Sequence, residues 1–125
     1  MNPRHQYSFE KLRVWQSARA LAKVVYQTTS QFPSREMYGL ISQCNRAAIS
    51  VAANLAEGSS RQSPRDQAHF SEIAYGSLIE LACLLVLSVD VGLLSTDVET
   101  KLRELIEKAS AQLNALRHSQ RARQG

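Results

Sequence analysis

The sequence predicts an all-α fold, an up-down-up-down antiparallel four-helix bundle, and three observations carry that prediction. Apolar residues recur at spacings of three and four in four separate stretches. The 125-residue chain holds only five glycines and three prolines, too few for a loop-rich or all-β protein. The stretches are joined by short connections bearing helix start and stop residues, and short connections favour antiparallel neighbours.

The first helix is expected from about Phe9 to Gln31. Val14, Ala18, Leu21, Val25, Thr28 and Phe32 form its apolar line, with Trp15 and Ala22 beside it. Ser8 is placed to cap its start. Phe32-Pro33 ends it, because proline disfavours helical geometry in the residue before it.

The second helix is expected from about Arg35 to Gly58, with Ser34 as cap. Met37, Ile41, Cys44, Ala48, Val51 and Leu55 make its seam. Ala47, Ala48, Ala52, Ala53 and Ala56 keep it thin, so neighbours approach near the lower end of the usual ~8–10 Å between axes. Gly58 reads as the left-handed residue that stops it.

The third helix opens with Ser63 as cap, Pro64 at the first helical position and Asp66 at the third. It should continue to about Val91, with Gly92 as its stop. Its stripe is Phe70, Ile73, Ser77, Glu80, Leu84 and Leu87. From Ile79 onward apolar residues surround the axis, so this helix is central or covered by another chain.

The fourth helix opens at "STDVE", where Thr96 and Glu99 have capping-box spacing. Val98, Leu102, Leu105, Ala109, Leu113 and Leu116 form its buried face. Glu99–Arg103 and Glu104–Lys108 are outer-face pairs, each contributing only ~0.2–0.5 kcal/mol. Residues 117–125 carry no apolar period and read as a frayed basic tail. The chain is therefore expected to be one domain, 1–125, with an ordered core of about 8–116.

The formal net charge of +4 permits an anionic partner without demanding one. Residues 1–65 hold nine Lys/Arg against three Asp/Glu, and residues 66–116 hold three against eight. Arg117, Arg121 and Arg123 complete the total. A basic half and an acidic half neutralise each other within a domain or between subunits. Cys44 and Cys83 are far apart within apolar stripes, so free, buried, reduced thiols are expected. The start "MNPRHQYSFEK" has no apolar core of a secretory signal. The uncharged run Leu81–Val89 is too short to span a bilayer, and a cytoplasmic protein without membrane attachment is expected.

No catalytic constellation is visible. His5, His69 and His118 lie in three distant places, and the His69–Glu72 pair reverses the order a di-iron bundle needs. No metal or cofactor is expected. Ser59 and Ser60 have no histidine nearby to activate them. Glu80 stands in an apolar stripe, where a carboxylate is costly unless paired. Its expected role is a polar clasp that fixes helix register, with Ser77 one turn away and Arg46, Asn54, Glu57 and Arg61 as candidate partners. The functional alternative is a general acid or base. Arg61 and Arg65 flank the start of the third helix, an anion-favouring position, but Ser63 and Asp66 already serve that start. A turn is the leading reading there, and phosphate contact the minority one. Lys11, Arg13, Arg19 and Lys23 make a broad basic flank on the first helix, without an RNA-reading aromatic motif.

The stretches "FEKLRVWQSARALAKVVYQ", "YGLISQCNRAAISVAANLAEGSSR" and "AYGSLIELACLL" resemble the 23S rRNA intervening-sequence protein family of four-helix bundles, over about residues 8 to 116. The Asn-x-x-Glu-Gly and Gly-Ser-x-x-Glu-Leu elements fall at Asn54, Glu57, Gly58, Gly76, Ser77, Glu80 and Leu81. Trp15, Tyr38, Gly39, Gln43, Arg46 and Arg61 also look like the family's pattern. The resemblance implies a left-handed antiparallel bundle assembling into a cyclic homopentamer. Distant relatives include accessory proteins of diversity-generating retroelements, whose similar rings bind nucleic acid and a reverse transcriptase. The family's own biochemical role is not established. Two departures are visible: Ala52 where a proline is common, which should straighten the second helix, and Asn45 where a basic residue often precedes Arg46.

The function expected from all of this is non-enzymatic: an oligomeric bundle acting as an RNA- or nucleoprotein-binding scaffold. The alternative is a structural or adaptor protein that binds a protein partner without nucleic acid. An enzyme, ranked third, requires a solvent-accessible pocket containing Glu80.

Overall fold

A computed structural model describes residues 4–124. They form four long helices, α1 (Arg13–Thr29), α2 (Ser42–Ser59), α3 (Pro64–Asp90) and α4 (Thr96–Gln124). No strand occurs among the described residues. A 3-10 turn, Ser8–Lys11, precedes α1. A second 3-10 turn, Ser34–Glu36, and a π-type turn, Met37–Ile41, lead into α2. Each helix packs on its sequence neighbour, and α1 also packs on α4, which closes the bundle around one core.

That core is built from both sizes of side chain. Leu21, Leu78, Leu81, Leu85, Leu102 and Leu113 are wholly buried, each worth about 1.5–3 kcal/mol. Between them lie Ala18, Ala47, Ala48, Ala74 and Ala109, which let the helix backbones come close. The ends of α1 and α2 are tied by Thr29, whose hydroxyl donates to Asn45 Oδ1 at 2.8 Å. Asn45 thus holds two helices together. α2 runs without interruption through Ala52.

The local start and stop signals of α3 act as read. Ser63 Oγ accepts from the Asp66 N–H at 3.1 Å, and Pro64 follows the cap. Gly92 has φ 81°. The Leu93 N–H bonds back to Ser88 O at 2.9 Å and the Gly92 N–H to Val89 O at 3.0 Å, the paired bonds of a left-handed helix stop.

Several expectations are corrected. α1 starts at Arg13 because Leu12 is extended, and the Tyr7 N–H, rather than Ser8, is served by the Glu10 carboxylate at 3.0 Å. α2 starts at Ser42, after non-helical backbone at Gly39, and Pro33 rather than Ser34 precedes the turn there. Met37 is consequently exposed. Gly58 is not a left-handed stop. It is helical and buried, and a Cβ there would sit 3.0 Å from Phe70 Cβ. Ser95, not Thr96, caps α4, its Oγ accepting from the Val98 N–H at 3.2 Å. Residues 117–124 are not frayed but complete α4, with Gln120 buried. Gly125 lies outside the described residues.

The buried sides of α3 and α4 also differ from the expected ones. α3 buries Ser71, Ala74, Ser77, Leu78, Leu81, Leu84, Leu85 and Ser88. Ile73, Glu80 and Leu87 face out instead. Where apolar residues surround an axis, periodicity gives no phase, and the side with small residues wins the contact with α2. Glu99, expected on the outer face, is buried and gripped by Arg103, while Val98 is exposed. Cys83 is exposed rather than buried.

Taken whole, α3 is long and apolar enough to cross a membrane, with mean hydropathy 1.8 over an 18-residue window. Its inward side is committed to the bundle core.

Two glycines test this packing. Gly92→Ala should cost about 1 kcal/mol, because an L side chain resists positive φ. Gly58→Val should cost about 1–3 kcal/mol through overpacking against Phe70. Urea titrations of the two variants beside the parent check both; equal midpoints for all three would contradict the packing described.

Candidate functional site

Four chain segments meet at one end of the bundle. Ser8, Gly58, Ser71 and Gln120 come from the turn before α1, the end of α2, the start of α3 and the end of α4. They line one cavity of about 390 Å³. The converging segments 4–13, 57–72 and 117–124 hold eight Lys/Arg and four Asp/Glu, while the rest of the chain holds seven of each. The whole formal charge of +4 is therefore carried by this end. Charges within a Debye length of about 8 Å act on a ligand together.

Some of these cations are already occupied. Arg117 donates to Glu72 Oε1 at 2.8 Å and lies over the Tyr75 ring, and Arg121 reaches the same oxygen at 3.5 Å. Arg123 donates to Gln67 Oε1 at 3.2 Å. Arg61 pairs with Glu57 at 3.7 Å and lies 4.8 Å from the Phe70 ring centre. The Arg61 pair is exposed and worth only about 0.3–0.5 kcal/mol.

The other sequence-predicted contact residues carry no ion pair among the described residues. Lys11, Arg13, Arg19 and Lys23 are exposed on the turn before α1 and on α1, and Arg65 is exposed on the first turn of α3. Arg19 lies over Trp15, 5.6 Å from the ring centre. The sequence had shown no aromatic partner for these cations, yet the structure supplies a run of rings beside them. His5 meets Tyr7, Tyr7 stacks on Phe9, and Phe9 packs on Trp15. The closeness of three rings at 5, 7 and 9 to Trp15 in the sequence was the available signal; Tyr7 is extended and Phe9 lies in the turn Ser8–Lys11.

The polar clasp exists with different members. Ser50 Oγ and Ser77 Oγ are 2.7 Å apart, and Asn54 Nδ2 donates to Ser50 O at 2.8 Å and to Ser50 Oγ at 3.0 Å. Asn54 and Ser77 were predicted and Ser50 was missed, although it stands one turn before Asn54. Arg46, Glu57 and Glu80 are exposed and take no part. No buried carboxylate needs rescue on α3.

Arg46 and Glu80 instead share a surface cleft of about 590 Å³ between α2 and α3, with Tyr38, Gln43, Ile49 and Ser50. Tyr38 is 92% exposed. The cleft opens onto the outward side of α3, where Ile73, Gly76, Ile79, Cys83, Val86 and Leu87 are exposed. Between Glu72 and Asp90 the only charge on this helix is Glu80.

The remaining reactive groups offer little chemistry. Burial pushes the Cys44 thiol up to about 11, against a smaller lowering by its Ser88 hydrogen bond, which keeps it protonated and unreactive. No cluster of three or more His, Cys, Asp or Glu suited to a metal ion occurs among the described residues.

The family model described as 23S rRNA-intervening sequence protein matches residues 10–115 of the chain. Among curated proteins, none is significantly similar to it.

Glu72 generates a pH prediction. The Arg117 hydrogen bond and charge, then those of Arg121, hold its carboxyl below the usual carboxylate range. A depressed folded-state value means that its contribution is complete above the unfolded value and disappears as pH falls through the folded one. Amide protection of residues 117–124 should therefore drop in acid before the rest of α4 does, and Glu72→Gln should reproduce that loss at neutral pH. Uniform protection along α4 in both experiments would contradict the tether.

Proposed function

The chain belongs to the 23S rRNA-intervening sequence protein family, and from that premise we propose a non-enzymatic oligomeric bundle that binds RNA, or an RNA-containing particle, through its basic end. The observation that carries this is the concentration of the whole net charge at one end, with Lys11, Arg13 and Arg65 unengaged there and Arg19 and Lys23 continuing along α1. Counterion release from RNA would supply the affinity. We take the bundle to be up-down-up-down antiparallel, as its short connections and the cavity shared by alternate helix ends support, and left-handed, as the family resemblance implies. A cytoplasmic setting, no membrane attachment and no cofactor belong to the same proposal.

A second copy of the chain is the proposed cover for the outward side of α3. Leu87 is 46% exposed and is one of a row of apolar residues interrupted by a single carboxylate. Arg46 and Glu80 line one cleft without pairing to each other, which leaves both charges for a neighbour. A closed ring, the pentamer implied by the family resemblance, would repeat the basic end around one axis and multiply weak contacts. The apolar side of α3 equally favours a second reading, an adaptor whose partner is another protein.

Two measurements separate these. Titration with structured RNA at low and physiological salt should show affinity falling linearly on a log–log plot. Replacing Lys11, Arg13, Arg19 or Lys23 by Gln should each lower the slope by about 1. No binding at low salt transfers the function to a protein partner. For assembly, Cys83 should react with a thiol reagent slowly in concentrated protein and faster on dilution, with Cys44 silent until unfolding. A Cys83 rate independent of concentration would rule out a second copy on this side.

A further inference from the structure

We propose that the segment Arg4–Glu10, folded against the start of α1, is a stacking site for an unpaired base of single-stranded nucleic acid, with the neighbouring phosphates on the α1 cations. It rests on the RNA-binding function above and adds the form of nucleic acid recognised. Three of the chain's eight Phe, Tyr and Trp residues fall between positions 7 and 15. His5 and Tyr7 are edge-to-face at 5.0 Å, Tyr7 and Phe9 are nearly parallel at 5.5 Å, and Phe9 meets Trp15 at 4.8 Å. Phe9 and Trp15 are half-buried and form the floor. Tyr7 stands out from it, 58% exposed. Rings that merely pinned the chain start to the bundle would be buried.

The cleft beside these rings measures about 550 Å³, within the range of small-molecule sites. Arg4 and Arg19 are among its lining residues. Glu10, the one carboxylate on it, is turned to the Tyr7 N–H at 3.0 Å, and Gln16 Nε2 donates to Glu10 O at 3.0 Å. These bonds set the turn before any ligand arrives, which lowers the cost of binding. Trp15, Arg19, Lys23 and Tyr26 follow at spacings of four, four and three, so they share one side of α1 over about 16 Å. Arg13 lies about 120° around the helix from Arg19, outside that line.

A cluster of rings continued by a line of cations matches a ligand that offers flat π-faces together with negative charges. Single strands offer both, whereas a duplex hides its base faces. An acidic peptide offers the charge without the faces.

The chain's one tryptophan, Trp15, gives a local readout on the full-length protein. The probes are an oligoadenylate of about 12 nucleotides, as RNA and as DNA, an RNA duplex of equal length, and polyglutamate. Both single strands should quench Trp15 fluorescence and the duplex should not. Tyr7→Ala and His5→Ala, at exposed positions where folding is checked by circular dichroism, should weaken single-strand binding, Tyr7→Ala by about tenfold, and leave duplex binding unchanged. A preference between RNA and DNA leaves the proposal standing. Equal quenching by polyglutamate overturns it. So does single-strand binding that neither quenches Trp15 nor responds to Tyr7→Ala, which would leave the basic-end function intact. Failure of every nucleic acid to bind removes both.

Discussion

α2 approaches α3 so closely that a Cβ on Gly58 would lie 3.0 Å from Phe70 Cβ, a contact that only a shift of the neighbour would relieve. Along the same contact, Ala47 and Ala48 of α2 and Ala74 of α3 are buried, and Ser50 meets Ser77 across it at 2.7 Å. Small residues permit the approach, and the serine pair and Asn54 give it a register. Leu78, Leu81, Leu84 and Leu85 then fill the interior, and Ile73, Ile79, Val86 and Leu87 are left on the other side of α3. Ile79, Val86 and Leu87 are exposed as a consequence of that rotation. The outward apolar row is thus a product of the core's own packing, and it is the surface on which assembly is proposed.

The opposite consequence appears at the basic end. Glu72 sits on the outward side of α3 and takes Arg117 and Arg121 from α4, so those cations secure a helix end. Arg61 and Arg123 are likewise engaged, with Glu57 and Gln67. The unengaged cations are left mainly on α1 and the turn before it, beside the ring cluster. Charge and aromatic surface therefore coincide because, apart from Arg65 on α3, the cations that residues 57–72 and 117–124 bring to this end have structural partners.

What could be read in the sequence was what is local. The cap at Ser63, the stop at Gly92 and the apolar lines of α1 and α2 depend on residues within a turn or two of one another. Gly58 was misread because a glycine at a helix end looks the same whether it turns the chain or admits a neighbour. Glu80 looked buried because it lies in register with Ser77 and Leu84, and a helix apolar on all sides gives no phase. The last turns of α4 looked frayed because their hold is the Glu72–Arg117 bond, 45 positions apart in sequence. The aromatic cluster was missed because it joins an extended segment to a helix, two periodicities that no single pattern spans.

The surface of α3 that the bundle leaves uncovered is most directly tested by the mass of the protein in solution. Sedimentation equilibrium across micromolar concentrations, at low and physiological salt, should give a defined multiple of the monomer, reduced toward the monomer by Ile79→Glu. A parent protein that remains monomeric throughout would contradict a second copy on that surface.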